Sequence, residues 1–140
     1  MTKRKLFVCL TALLLISVFA ISVSAALNDK AVLVEPFDTF RARSGQSADN
    51  RNLALTVSSV VKNPVGAHFQ VSGYTTDGDT RDEESYYESP SGVLEFRQNF
   101  PLYFSIIYYP TELHTKHFLL DDDYYAYAGI YDLTAFVTVP

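Results

Sequence analysis

Three histidines and sixteen acidic residues carry most of the chemistry open to this chain of 140 residues. His114-x-x-His117, followed closely by Asp121-Asp122-Asp123, brings metal-ligand residue types together. On an extended strand, however, positions i and i+3 face opposite sides. The helical zinc signature His-Glu-x-x-His is also missing. The stretch therefore reads as a polar connector with solvent-exposed imidazoles, and no metal site is assigned. Asp77-Gly78-Asp79-Thr80-Arg81-Asp82-Glu83-Glu84 concentrates the oxygen ligands that calcium takes. Its glycine sits between the first two acids and not after them, which departs from the EF-hand pattern. It reads as a solvated acidic loop able to gate a mouth or steer a cationic partner. No serine lies in a Gly-x-Ser-x-Gly elbow or at a usable spacing from His68, His114 or His117. A glycosidase-type carboxylate pair cannot be singled out among so many acids. No catalytic residue and no cofactor is assigned, and the expectation is a protein without enzymatic activity.

The elements that would position such residues are short and alternate at period two. Ala31–Val34 is an apolar run stopped by Pro36, and Arg41–Asn52 is polar and reads as a loop. In Asn52–Lys62 one face carries Leu53, Leu55, Val57, Ser59 and Val61, and the other carries Ala54, Thr56, Ser58 and Val60. The first is the apolar face of a strand. Asn63-Pro64-Val65-Gly66 is a turn, and Ala67–Thr75 follows as a second strand, with Phe69 and Val71 on its apolar side. The unit predicts a β-hairpin. Arg81–Glu88 is an acidic connection, and Val93–Gln98 alternates with Leu94 and Phe96 on the apolar side. Leu102–Tyr109 is a dense β-branched and aromatic run ended by Pro110; Thr111–Lys116 is a connector. His117–Leu133 reads as a hairpin with an acidic, tyrosine-rich turn, and Thr134–Val139 as a last strand-like run. Seven or so strands with turns every 8 to 12 residues predict an all-β barrel or sandwich.

The first 25 residues set the compartment. A basic head (Lys3, Arg4, Lys5), the apolar run Leu6–Val23 and the small residues Val23-Ser24-Ala25 have the layout of a secretory signal peptide. The alternative is a membrane anchor; the absence of a basic flank after the run favours cleavage. The expectation is a signal at 1–25 and a single domain at 26–140, secreted and not membrane-spanning once cleaved. Removing the leader lowers Lys+Arg from 11 to 8 and leaves all 16 acids, for a net charge of about −8. Nucleic acid and anionic membrane surfaces are thereby disfavoured as partners. Cys9, the only cysteine, lies in the leader, so no disulfide staples residues 26–140. Ten Tyr and ten Phe supply large side chains suited to strands.

The hairpin also carries a family resemblance. Phe118-Leu119-Leu120-Asp121-Asp122-Asp123-Tyr124-Tyr125-Ala126-Tyr127-Ala128-Gly129-Ile130-Tyr131 resembles the lipocalin hairpin of the apolipoprotein D branch. That pattern is an apolar strand, Thr-Asp-Tyr, two variable residues, Tyr, and a strand ending in Val-Tyr-Ser-Cys. Asp123, Tyr124, Tyr127 and Tyr131 fall on its Asp and Tyr positions; Asp122 replaces the Thr, and Asp132-Leu133 the Ser-Cys. Gly92–Phe96, Val71–Thr75 and Asn52–Val57 are similar to earlier lipocalin strands, so the likeness covers about residues 50–133. It lacks the family's Gly-x-Trp opening, since the chain has no Trp, and its disulfide partner. Nine residues follow Tyr131, where lipocalins add a strand and a helix. The resemblance implies an antiparallel lipocalin-like (calycin) barrel that is incomplete, closes with fewer than eight strands, or covers its open edges by forming a homo-oligomer.

Such a barrel encloses one small ligand. Its lining would come from the apolar faces: Leu55, Val57, Phe69, Val71, Leu94, Phe96, Phe104, Ile106, Phe118 and Leu120, with Tyr127 and Tyr131 orienting a polar end. The resemblance implies a lipid, sterol, retinoid or pigment as ligand. Two other readings stay open. One is a secreted β-sandwich interaction module with a filled core and an acidic, tyrosine-rich surface. The other is an incomplete gene product.

Overall fold

The computed structural model describes residues 28–138; the expected leader at 1–25 lies outside them. Eight strands follow one another: β1 (Asn28–Val34), β2 (Asp38–Gln46), β3 (Leu53–Val60), β4 (Ala67–Thr76), β5 (Ser85–Glu88), β6 (Glu95–Pro101), β7 (Glu112–Asp121) and β8 (Ala126–Phe136). They form two four-stranded antiparallel sheets, ordered β1-β2-β3-β6 and β5-β4-β7-β8, and no helix occurs among the described residues. The all-β expectation holds at this level.

Of the expected barrel or sandwich, the strands form the open arrangement, with no closed barrel. On one side β1 and β8 meet only through side chains, with Asn28 Nδ2 donating to the Thr134 carbonyl and Lys30 Nζ to that of Asp132. On the other side β6 pairs with β3 and β5 with β4, and the two are not laddered together. The fold is two sheets packed face to face.

Several strand relations differ from the sequence pattern. β3 and β4 do not pair with each other: Asn63 (φ 57°) and Gly66 (φ 72°) bend the chain from one sheet to the other. The Arg41–Asn52 "loop" is strand as far as Gln46, because β2 buries Phe40, Ala42 and Ser44 in alternation with Arg41 and Arg43. The end of the acidic connection pairs with β4 as the short edge strand β5. The connector Thr111–Lys116 belongs to β7, and Thr134–Phe136 continues β8 past a bulge opposite Thr115/His117. Leu102–Tyr109 is no strand. Pro101 and Pro110, which lack the N–H a ladder needs, bracket it.

β3 presents to the interior the face with fewer apolar residues: Ala54, Thr56, Ser58 and Val60 are buried there. The reason stands on the opposite sheet. His117 of β7 is fully buried; Ser58 Oγ lies 2.6 Å from its Nδ1, while Thr56 Oγ1 and Thr115 Oγ1 lie 3.2 and 2.9 Å from its Nε2. Thr56 Oγ1 donates to the Arg43 carbonyl and Thr115 Oγ1 to that of Leu133. Both hydroxyls therefore accept from Nε2–H, and Ser58 donates to Nδ1. Two apolar clusters flank this polar layer. One holds Phe37, Phe40, Val60, Phe69, Leu119 and Ile130, with the Phe40 and Phe69 rings stacked at 6.1 Å. The other holds Ala54, Val71, Phe100, Leu102 and Leu113.

Burial lowers the pKa of His117 to about 4. The unfolded chain, with the ordinary value near 6.5, then binds a proton that the native state refuses between these two values. Stability is undiminished above pH 6.5 and falls as pH drops toward 4, by about 3 kcal/mol over the window. Urea unfolding of wild type and H117Q across pH 7.5 to 4 should show the variant less stable at pH 7.5 but with a shallower acid loss. Parallel pH profiles would remove His117 as the cause.

Candidate functional site

The twelve residues expected to line a cavity do not converge. Phe69 and Val71 of β4 and Phe96 of β6 point between the sheets, where they are packed among other core side chains. Phe104 packs against the end of the second cluster. Leu55 and Val57 lie on the outer face of the first sheet, since β3 is turned over; Val57 is buried there between its cross-strand partners Arg43 and Arg97. Leu94 is exposed just before β6, and Ile106 stands in open solvent. Phe118 and Leu120 are on the outer face of the second sheet, as they pair in register with Gln70 and His68. Tyr127 packs edge-on to Phe37 at 4.8 Å, and Tyr131 is exposed on the outer face.

What the strands do bring together is an aromatic and polar surface on the outer face of β5-β4-β7-β8. Register places Tyr74 of β4, His114 of β7 and Thr134 of β8 in one row. The Tyr74 and His114 rings stack at 5.1 Å, and the Arg81 guanidinium lies 4.0 Å above Tyr74. His114 Nε2 is 2.7 Å from Glu112 Oε2, and its Nδ1 is 3.2 Å from Thr134 Oγ1. A second row runs Glu88, Gln70, Phe118, Gly129. Here the Phe118 and Tyr131 rings meet edge to face at 5.2 Å over Gly129. A Cβ at that position would lie 2.9 Å from Phe118 Cε1 and 3.0 Å from Tyr131 Cζ, so any side chain there would push the two rings out of this contact. At the far corner Tyr124 crosses His68 at 5.2 Å, and Gln70 donates to the Tyr86 hydroxyl. Burial first, then the Glu88 carboxylate, raises the Tyr86 pKa.

The motifs that invited chemistry have structural uses. His114 and His117 face opposite sides of β7, and among the described residues no three of His, Cys, Asp and Glu are placed to hold a metal. Asp77 Oδ1 accepts from the backbone N–H groups of Thr80 (2.8 Å) and Asp79 (2.9 Å), the two bonds that most lower its pKa. Asp121 Oδ1 likewise accepts from the N–H groups of Asp123 and Tyr125, both at 2.9 Å, and shapes the β7–β8 turn in which Tyr124 takes φ 65°. Ser58 and His117 have the contact of a nucleophile and its base, but both are fully buried, and the other imidazole nitrogen meets hydroxyls and not a carboxylate. Sequence reasoning missed Tyr74, Arg81 and His114 as one stack. Extending the β7 alternation three residues from His117 toward Glu112 would have placed His114 on the outward face with Phe118.

G129A should lower stability by about 1–3 kcal/mol through overpacking against two rings. In an F118A background the loss should shrink sharply, which urea unfolding of the double-mutant cycle reads directly. Compared with protein-family models, curated proteins and solved structures, the chain matches none.

Proposed function

We propose that this is a secreted, non-catalytic interaction domain acting through the outer face of β5-β4-β7-β8. The observation that carries the reading is the placement of its aromatic residues. Between the sheets, two packed side-chain clusters take up most of the interior, whereas Tyr86, Tyr124, Tyr125 and Tyr131 are exposed around a face edged by Glu88, Glu112 and Asp132. Tyrosine offers a large, fairly rigid contact area with a polar tip, and the acids favour a cationic partner. The β5 and β6 edges offer self-association little to build on: β5 is four residues long, and β6 carries Glu95, Arg97 and Pro101. Selection from a random displayed peptide library should enrich peptides with Lys or Arg beside aromatic residues, and F118A and Y131S should weaken them at least about tenfold, the loss of one well-buried anchor. Peptides that bind both variants as well as wild type would refute the assignment of this face.

The lipocalin-like reading, a carrier of a lipid, sterol, retinoid or pigment, has one specific support. Where β5 and β6 are not laddered, a cleft of about 160 Å³ opens between the sheets. It is smaller than the ~300 Å³ at which ordinary ligand pockets begin. Titration with a fluorescent fatty acid and with retinol separates the two readings. Interaction through the outer face predicts no saturable signal, whereas a carrier predicts saturation that a larger side chain at the half-buried Ser85 of the cleft wall, as in S85W, abolishes.

A further inference from the structure

The loop between β6 and β7 ends in an apolar tip that the outer-face reading does not use. Ile106 and Ile107 are 94% and 91% exposed, with exposed Tyr103 and Tyr109 on either side. The loop is braced. Ser105 N donates to the Tyr108 carbonyl at 2.9 Å, and Ser105 Oγ accepts from Tyr108 N at 3.1 Å. Leu102 is buried in the second core cluster, Pro110 is fully buried, and the Tyr108 hydroxyl lies 2.7 Å from Thr75 Oγ1. Two adjacent isoleucines are thus held out on a fixed turn. A flat or concave apolar patch fits a protein surface. A convex aliphatic tip ringed by tyrosines fits the membrane interface, where aromatic rings sit at head-group depth and aliphatic side chains pass below them.

Tyr103 also walls the cleft between β5 and β6, together with Tyr87, Phe100, Asp82 and Glu83. Gly73 lies in its floor, where a Cβ would come within 2.9 Å of the His114 carbonyl oxygen, 3.0 Å of Thr115 Cγ2 and 3.1 Å of Phe100 Cε1. Among the described residues no Lys or Arg lines it. Aromatic walls with two carboxylates are the chemistry that seats a quaternary ammonium. Close by, Arg81 over Tyr74 is an example of a cation held on an aromatic ring of this chain. We propose that this end of the domain docks on a phosphatidylcholine surface: Ile106 and Ile107 enter the acyl boundary, and one choline head group sits in the cleft against Tyr87, Tyr103, Asp82 and Glu83. The acids of the Asp77–Glu84 loop beside it set the lipid class, since they repel an anionic surface.

The test is co-sedimentation of residues 26–140, which hold all eight strands and both core clusters, with vesicles of phosphatidylcholine and of phosphatidylglycerol. Binding to phosphatidylcholine is expected, with weaker binding to phosphatidylglycerol. I106S/I107S, at exposed positions and with unchanged thermal unfolding, should bind phosphatidylcholine roughly a hundredfold more weakly, about tenfold for each isoleucine. D82N/E83Q should lose the preference between the two lipids. Soluble phosphocholine at millimolar concentration should shift the Tyr87 and Tyr103 resonances in wild type and not in D82N/E83Q. Absence of binding to phosphatidylcholine, equal or stronger binding to phosphatidylglycerol, an I106S/I107S variant that binds like wild type, a D82N/E83Q variant that keeps the preference, or unmoved tyrosine resonances would each overturn the proposal. F118A and Y131S leave the tip in place, so the outcome is independent of the peptide selection.

Discussion

The imidazole of His117 holds the two sheets in register. It projects from β7 across the interior, and its nitrogens meet Thr56 and Ser58 of β3. Apolar contact is non-directional and would tolerate sliding of one sheet over the other. A buried ring with hydroxyl partners on fixed strands does not, since any displacement leaves polar atoms unpaired at a cost of about 1–3 kcal/mol each. The apolar clusters on either side supply burial; the polar layer between them supplies position. The same layer explains the orientation of β3, which gives up the outward-facing Leu55 and Val57 to bring its two hydroxyls inside.

That choice spreads outward. With Val57 on the outer face, the stems of Arg43 and Arg97 become its cover, and basic side chains gather on the first sheet. Acidic and aromatic residues gather on the second, where the register of β4, β7 and β8 assembles stacked rows with an aromatic pair over Gly129. The molecule is therefore two-sided in chemistry as well as in architecture, with the tyrosines on the side where the carboxylates are densest.

Local features were legible in the sequence and pairings were not. The β7–β8 hairpin was readable because an acidic turn separates two apolar runs, and its turn is closed by Asp121 itself. The existence of β3 and β4 was equally plain from alternation. Their relation was not, since Asn63-Pro64-Val65-Gly66 suits both a hairpin and an arch between sheets, and the choice depends on partners distant in sequence. Apolarity alone points to the wrong face of β3, because the residue that turns the strand over lies 59 positions beyond Ser58. β2 escaped notice because its buried positions include Ala42 and Ser44. The candidate lining residues are spread for the same reason: alternation places each on an apolar face, and the faces turn toward different surfaces.

The arch at residues 63–66 has a consequence for how the molecule comes into being. Because β3 and β4 go to different sheets, neither sheet is built from contiguous chain: the first waits for β6, and the second receives β7 beside β4 only after that. A nascent chain emerging up to β4 has one incomplete sheet and one lone strand, with no half that can close by itself. Long-range pairings of this kind form slowly, typically in milliseconds to seconds, and the second sheet lacks its last strand, with Ile130, Leu133 and Ala135 of the core, until β8 has been made.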